Sequence, residues 1–165
     1  MSIDQKKNYG TLDCLNQVAA FHATFRHPIV DKPSIPSVER STLRIKLIQE
    51  ELDELKEAVE RGDLVDAADA LCDLQYVLSG AILEFGLADR FPDLFAEVQR
   101  SNMSKACASP EEAHDTIQWY AEHKKEEAYM EEHGAKFLVY RKQDNKTLKS
   151  IRYSPAQLEP IIHHQ

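Results

Sequence analysis

Along most of this chain apolar residues recur at helical spacing, and the polar breaks between them mark out the elements. From Thr11 to Phe25, Leu12, Leu15, Val18, Ala19 and Phe25 fall near one helical face. The next stretch, "RHPIVDKPSIPS", carries three prolines and reads as a loop. Ser37 is placed to cap a second helix running to Arg61, with Leu43, Leu47, Leu55 and Val59 as its apolar stripe. Gly62 ends that helix, and Asp63 can cap the next. Between Asp63 and Phe85 apolar residues face every direction, which predicts a central helix buried against neighbours or a second subunit. Gly86 closes it, and "FPDLFAEVQRSNMSK" predicts another helix over roughly 92–105. Ser109 as cap and Pro110 at the first position open a longer helix, which the pattern carries to Gly134. Then "KFLVYRKQDNKTLKSIRY" offers two β-rich runs around Asp144-Asn145-Lys146, the pattern of a hairpin.

The expected fold is therefore all-α, an antiparallel helical bundle with a small C-terminal β-hairpin appendage. A length of 165 residues suits one domain plus such an appendage, divided as 1–107 and 108–165. No run of about 18 apolar residues is present, so no transmembrane helix is expected. The first residues, "MSIDQKKNYG", lack the apolar stretch of a secretory signal. Cys14, Cys72 and Cys107 are widely spaced and form no CxxC pair, which favours reduced thiols and a cytoplasmic setting.

Charge changes the picture further. A net charge of −8 argues against a nucleic-acid binder, which needs a basic face. The distribution is uneven: residues 136–165 hold six Lys/Arg against two Asp/Glu, leaving 14 against 26 in residues 1–135. An acidic body that handles phosphates would need metal ions to mediate.

The acids are also patterned. On a helix, residues three and four apart share a face, so Glu50, Glu51 and Glu54 cluster on the second helix. Asp66, Asp69 and Asp73 form a stripe on the third. The Gly62-Asp63 turn makes these helices antiparallel partners, which lets the stripes face each other. Like charges brought that close repel, and burying them unpaired is costly. A hard cation between them removes the cost: Mg²⁺ takes oxygen ligands and keeps room for water and phosphate. Glu57 and Glu60 read as solvated.

The EExxE run, the short acidic turn and "DALCDLQYVLSGAILEFGL", followed by "EVQRSNMSK", resemble the all-α nucleoside triphosphate pyrophosphohydrolases. Within these the chain is most similar to the MazG-like and phosphoribosyl-ATP pyrophosphohydrolase-like group. The resemblance covers about residues 10 to 107. It implies hydrolysis between the α and β phosphates of a nucleoside triphosphate, giving a monophosphate and pyrophosphate. It also implies Mg²⁺, with Mn²⁺ as a substitute, held by Glu50, Glu51, Glu54 and Asp73. Glu50 or Glu51 would be the catalytic base. The group's pattern ends in ExxD, whereas this chain has Ala70 three residues before Asp73. Either Asp66 or Asp69 would replace the missing glutamate, and Asp69 is assigned to the metal set.

Substrate contacts are expected from Arg44 and Lys46, just before the acids, and from Asn102 and Lys105, which the resemblance makes phosphate ligands. Asn16, Phe21 and His22 could read the base, and Tyr76 the sugar; Phe21 and Tyr76 could equally serve packing. A homodimer or homotetramer is expected, with no nucleic acid or membrane partner. Two rivals stand beside this reading. A di-iron bundle wants two Glu-x-x-His pairs, and only Glu111 with His114 fits. A non-catalytic helical module would keep the fold and lose the chemistry, and Ala70 supports it.

Overall fold

The structure is a computed structural model that describes residues 9–163. The segment read as free of a secretory signal lies mostly in residues 1–8, outside the described residues. About 60% of the chain is helical. Among the described residues the order is α1 Cys14–Phe25, α2 Val38–Arg61, α3 Leu64–Glu84, a 3-10 turn Ala88–Arg90, α4 Phe91–Met103, α5 Pro110–Lys124, β1 Ala128–His133, β2 Lys136–Arg141 and α6 Glu159–His163. The chain forms two compact units that divide between Pro92 and Asp93, at the start of α4.

The first unit is built on α2 and α3. Ser37 Oγ accepts the Arg40 N–H and opens α2. Gly62, at φ +69°, ends α2 in the left-handed conformation that glycine adopts without strain. Asp63 Oδ1 accepts the N–H groups of Val65 and Asp66 at 3.0 and 3.1 Å and opens α3. Ion pairs at both ends show that α2 and α3 run antiparallel. Arg61 meets Asp66 at 2.7 Å beside the turn, and Arg40 and Arg44 meet Glu84 at the far end. α1 lies along the later part of α3, where Gln75 Nε2 reaches Cys14 Sγ at 3.4 Å. The loop before α2 is strapped to the end of α3 by Val30 N–H to Leu83 C=O and Ser34 N–H to Phe85 C=O. Gly86, at φ +67°, makes that closure possible: a Cβ there would stand 2.1 Å from the Lys32 carbonyl oxygen.

Several expected faces are rotated or uncovered. α1 starts at Cys14, not Thr11, so Leu12 precedes it and stays exposed, as does Phe25; Val18 and His22 are the buried positions. On α2 Leu43 and Val59 are exposed while their neighbours Arg44 and Ala58 are buried, a turn of the face by one residue each. The all-round burial expected for α3 is found only from Ser79 to Glu84, where α1 and the strapped loop cover it. Leu64 and Leu71 remain 82% and 56% exposed in the single chain.

In the second unit α5 opens as expected on Ser109 and Pro110 but ends at Lys124, because Lys125 turns left-handed at φ +57°. Residues 128–133, expected to continue the helix, instead form β1. β1 pairs antiparallel with β2 from Ala128↔Arg141 to His133↔Lys136, across a turn at Gly134. The expected turn at Asp144-Asn145-Lys146 exists, with Asn145 at φ +56°, but beyond it only a bridge between Tyr140 and Thr147 forms. Cys107, Ala113, Val139 and Leu148 make the core of this unit. Glu112, buried beside it, accepts hydrogen bonds from Ser150 Oγ and the Ala108 N–H.

Candidate active site

The antiparallel register of α2 and α3 sets Glu50, Glu51 and Glu54 opposite Asp69 and Asp73. Burial first, then the negative charges of Asp73, Glu54, Glu50 and Asp69, push the Glu51 carboxyl above its ordinary value. One carboxyl thus feels all four others. None of the five is in an ion pair among the described residues. Asp66 differs: its carboxylate is held by Arg61 at 2.7 Å. It is also not among the charges that act on Glu51. Of the two aspartates expected to stand in for the missing glutamate, Asp69 is the one in the cluster. Ala70, at the position of that glutamate, is buried.

The aspartates were expected on a buried helix, yet Asp66, Asp69 and Asp73 are all exposed, because α1 covers only the later part of α3. Among the described residues no three acids, histidines or cysteines already close around one point as a metal site would. The donors are nevertheless hard carboxylate oxygens gathered from two helices; Arg61 lines a hollow with Glu54, Asp66 and Asp69 but is bonded to Asp66. That set fits Mg²⁺ or Mn²⁺ in kind, and exposed side chains are free to turn toward an ion.

About one helical turn further along both helices is a pocket lined by Phe21, His22, His27, Arg44, Leu47 and Tyr76, among others. Its rings are mutually packed: Phe21 meets Tyr76 edge-on at 5.5 Å and stacks with His27 at 5.8 Å. Beneath them lies a buried ionic network. Glu84 accepts from Arg40 and Arg44, and Arg44 Nη2 also reaches His22 Nε2 at 3.0 Å. His22 Nδ1 lies 2.8 Å from the Pro28 carbonyl oxygen. A carbonyl only accepts and a guanidinium only donates, so His22 is neutral with its proton on Nδ1. Burial, aided by Arg44, lowers its pKa in agreement. Arg44 Nε is buried without a hydrogen-bond partner in this network.

The expected substrate contacts divide accordingly. His22, Arg44 and Tyr76 line the same pocket. His22 has both ring nitrogens engaged inside the protein, which leaves only its ring surface for a ligand. Asn16 is exposed on α1 and bonds to Asp13 at 2.8 Å. Lys46 is exposed on α2. Asn102 and Lys105 belong to the second unit, where Lys105 Nζ donates to Asn102 Oδ1 at 2.8 Å. Sequence reasoning missed Arg40, His27 and Glu84. Glu84 carried a signal: it is the lone acid in "SGAILEFGL", and a carboxylate in so apolar a run requires a cation.

A family model described as phosphoribosyl-ATP pyrophosphohydrolase matches residues 18–102, just over half the chain. The matched span runs from Val18 on α1 through the acidic helix pair to Asn102 on α4. Among the curated proteins nothing matches the chain.

Proposed function

Because the chain belongs to the phosphoribosyl-ATP pyrophosphohydrolase family, within the all-α NTP pyrophosphohydrolases, and is thereby a hydrolase of phosphoanhydride bonds, we propose that it cleaves nucleotides between the α and β phosphates in a metal-dependent reaction. The products are a nucleoside monophosphate and pyrophosphate. The observation that carries this reading is the acidic face that α2 and α3 share, where Glu50, Glu51, Glu54, Asp69 and Asp73 stand without an ion pair among the described residues; burial and those charges together raise the Glu51 carboxyl. Membership of a hydrolase family sets the non-catalytic rival aside.

Glu50, Glu51, Glu54, Asp69 and Asp73 would hold the ion. Mg²⁺, when bound, offsets the negative charge that develops on the phosphate oxygens. Glu50 or Glu51, whichever the ion leaves free, takes the proton of the attacking water. The water oxygen bonds to phosphorus, the bond to the bridging oxygen breaks, and pyrophosphate leaves with that electron pair. The pocket of Phe21, Arg44 and Tyr76 takes the nucleoside end, beside the acids on the same helices. Lys46, exposed on the same helix as the acids, is the proposed phosphate contact. The exposed Leu64, Val65 and Leu71 support a homodimer or homotetramer.

Ribo- and deoxyribonucleoside triphosphates and phosphoribosyl-ATP, each assayed for pyrophosphate with and without Mg²⁺, test this reading. Release from at least one substrate, only with metal, is expected. No release from any of them with Mg²⁺ or Mn²⁺ would overturn it.

A further inference from the structure

The second unit lies mostly beyond the matched family segment and holds a cleft that the proposed reaction does not use. Trp119 and Tyr120 on α5 wall one side, and Lys149, Ser150, Ile151 and Tyr153 the other. The Trp119 ring is stacked by His123 at 4.9 Å, yet the residue stays 38% exposed. Lys149 Nζ sits 4.3 Å over the Tyr153 ring and has no carboxylate partner among the described residues. The cation is thus held by a ring rather than neutralised.

The remaining polar groups are one-sided. Tyr120 Oη accepts the Lys149 backbone N–H at 3.2 Å, which leaves its own O–H to donate. The Trp119 indole N–H has no hydrogen-bond partner among the described residues and can only donate. Ser150 Oγ is engaged by Glu112 and by the Arg152 N–H, and Tyr153 Oη by Ser101 Oγ. Aromatic walls, a cation and two free donors select a planar ring that carries acceptors and a negative charge.

We propose that this cleft binds a free nucleotide, with the base against the aromatic walls and a phosphate on Lys149. Base stacking on aromatic side chains tolerates any base, so selectivity rests on the phosphate. Lys149 is the single cation lining the cleft, which suits one phosphate rather than the row of charges on a long polyanion.

Trp119 is the chain's single tryptophan, so its fluorescence reports on this cleft alone. AMP is titrated into the full chain without divalent metal, with calorimetry alongside. Saturable quenching is expected, with adenosine and inorganic phosphate each weaker by about tenfold, the scale of one charge-assisted contact. Lys149→Ala, checked for an unchanged melting temperature, should weaken AMP by about the same factor. Glu51→Gln should leave the quenching unchanged, which separates this cleft from the proposed pyrophosphohydrolase site. The proposal fails if millimolar AMP gives no saturable quenching of Trp119, whatever heat it releases. It fails equally if Lys149→Ala binds AMP as well as the natural chain, or if a short oligonucleotide binds more tightly than AMP.

Discussion

Glu51 and Glu84 are both glutamates of the α2–α3 pair, and their neighbours move them in opposite directions. Burial alone would raise Glu84, but hydrogen bonds from Arg40 and Arg44 hold it below its ordinary value. Glu51 is raised, by burial and then by the acids Asp73, Glu54, Glu50 and Asp69. We expect Glu51→Gln to abolish most pyrophosphate release and to stabilise the metal-free protein at neutral pH, because a like-charge repulsion is relieved. A carboxyl whose folded pKa is raised contributes stability that is complete below its unfolded value and lost as pH rises through the folded one. The variant's advantage should therefore be largest near neutrality and vanish below about pH 4, the ordinary glutamate range. Urea unfolding at both pH values checks this, and a variant less stable than the natural chain at pH 7 would mark Glu51 as structural. Glu84→Gln should do the reverse and cost about 3 kcal/mol, the scale for breaking a buried pair. Glu84 stability is present above the unfolded value and lost as pH falls through the depressed folded one, so this difference narrows in acid.

At the scale of elements, Gly80 on α3 gives a test with an informative sign. Glycine to alanine inside an exposed helix gains about 1 kcal/mol. Here the new Cβ would stand 2.6 Å from Arg44 Nη1 and 3.1 Å from His22 Nε2. Gly80→Ala should instead lose about 1–3 kcal/mol through overpacking; a gain in melting temperature would show that Arg44 moves aside freely. Three helix starts were legible in the sequence, while that of α1 was not. Ser37, Asp63 and Ser109 each cap where their spacing indicates, since a cap is a bond to residues two or three positions away. The end of α5 was not legible. Residues 125–133 carry helix-forming glutamates, and only pairing with residues 136–141 makes part of them a strand.

At the scale of the whole molecule, the exposed leucines of α3 and the unpaired acids each lead to a measurement. If Leu64, Val65 and Leu71 are covered by a second copy, light scattering at micromolar concentration should find a homodimer or homotetramer; a stable monomer would sink that reading. If the acids hold a cation, millimolar Mg²⁺ should raise the melting temperature by mass action, and Glu51→Gln should blunt the rise. The sequence by itself determined the helices α2 and α3, their caps and the acids they bring face to face, because helical periodicity and a two-residue turn fix which side chains meet. It also carried the family, through the same acidic pattern. Only the tertiary structure decided that Asp66 is tied to Arg61 while Asp69 joins the cluster. It alone showed that Arg44 and His22 are bound up with Glu84, and that an apparent continuation of α5 is a strand. Those outcomes depend on partners of Arg44 that lie 22 and 40 residues away, on a strand pairing that reaches from Ala128 to Arg141, or on which of two nearby acids a single arginine reaches, and none of these is written in helical spacing.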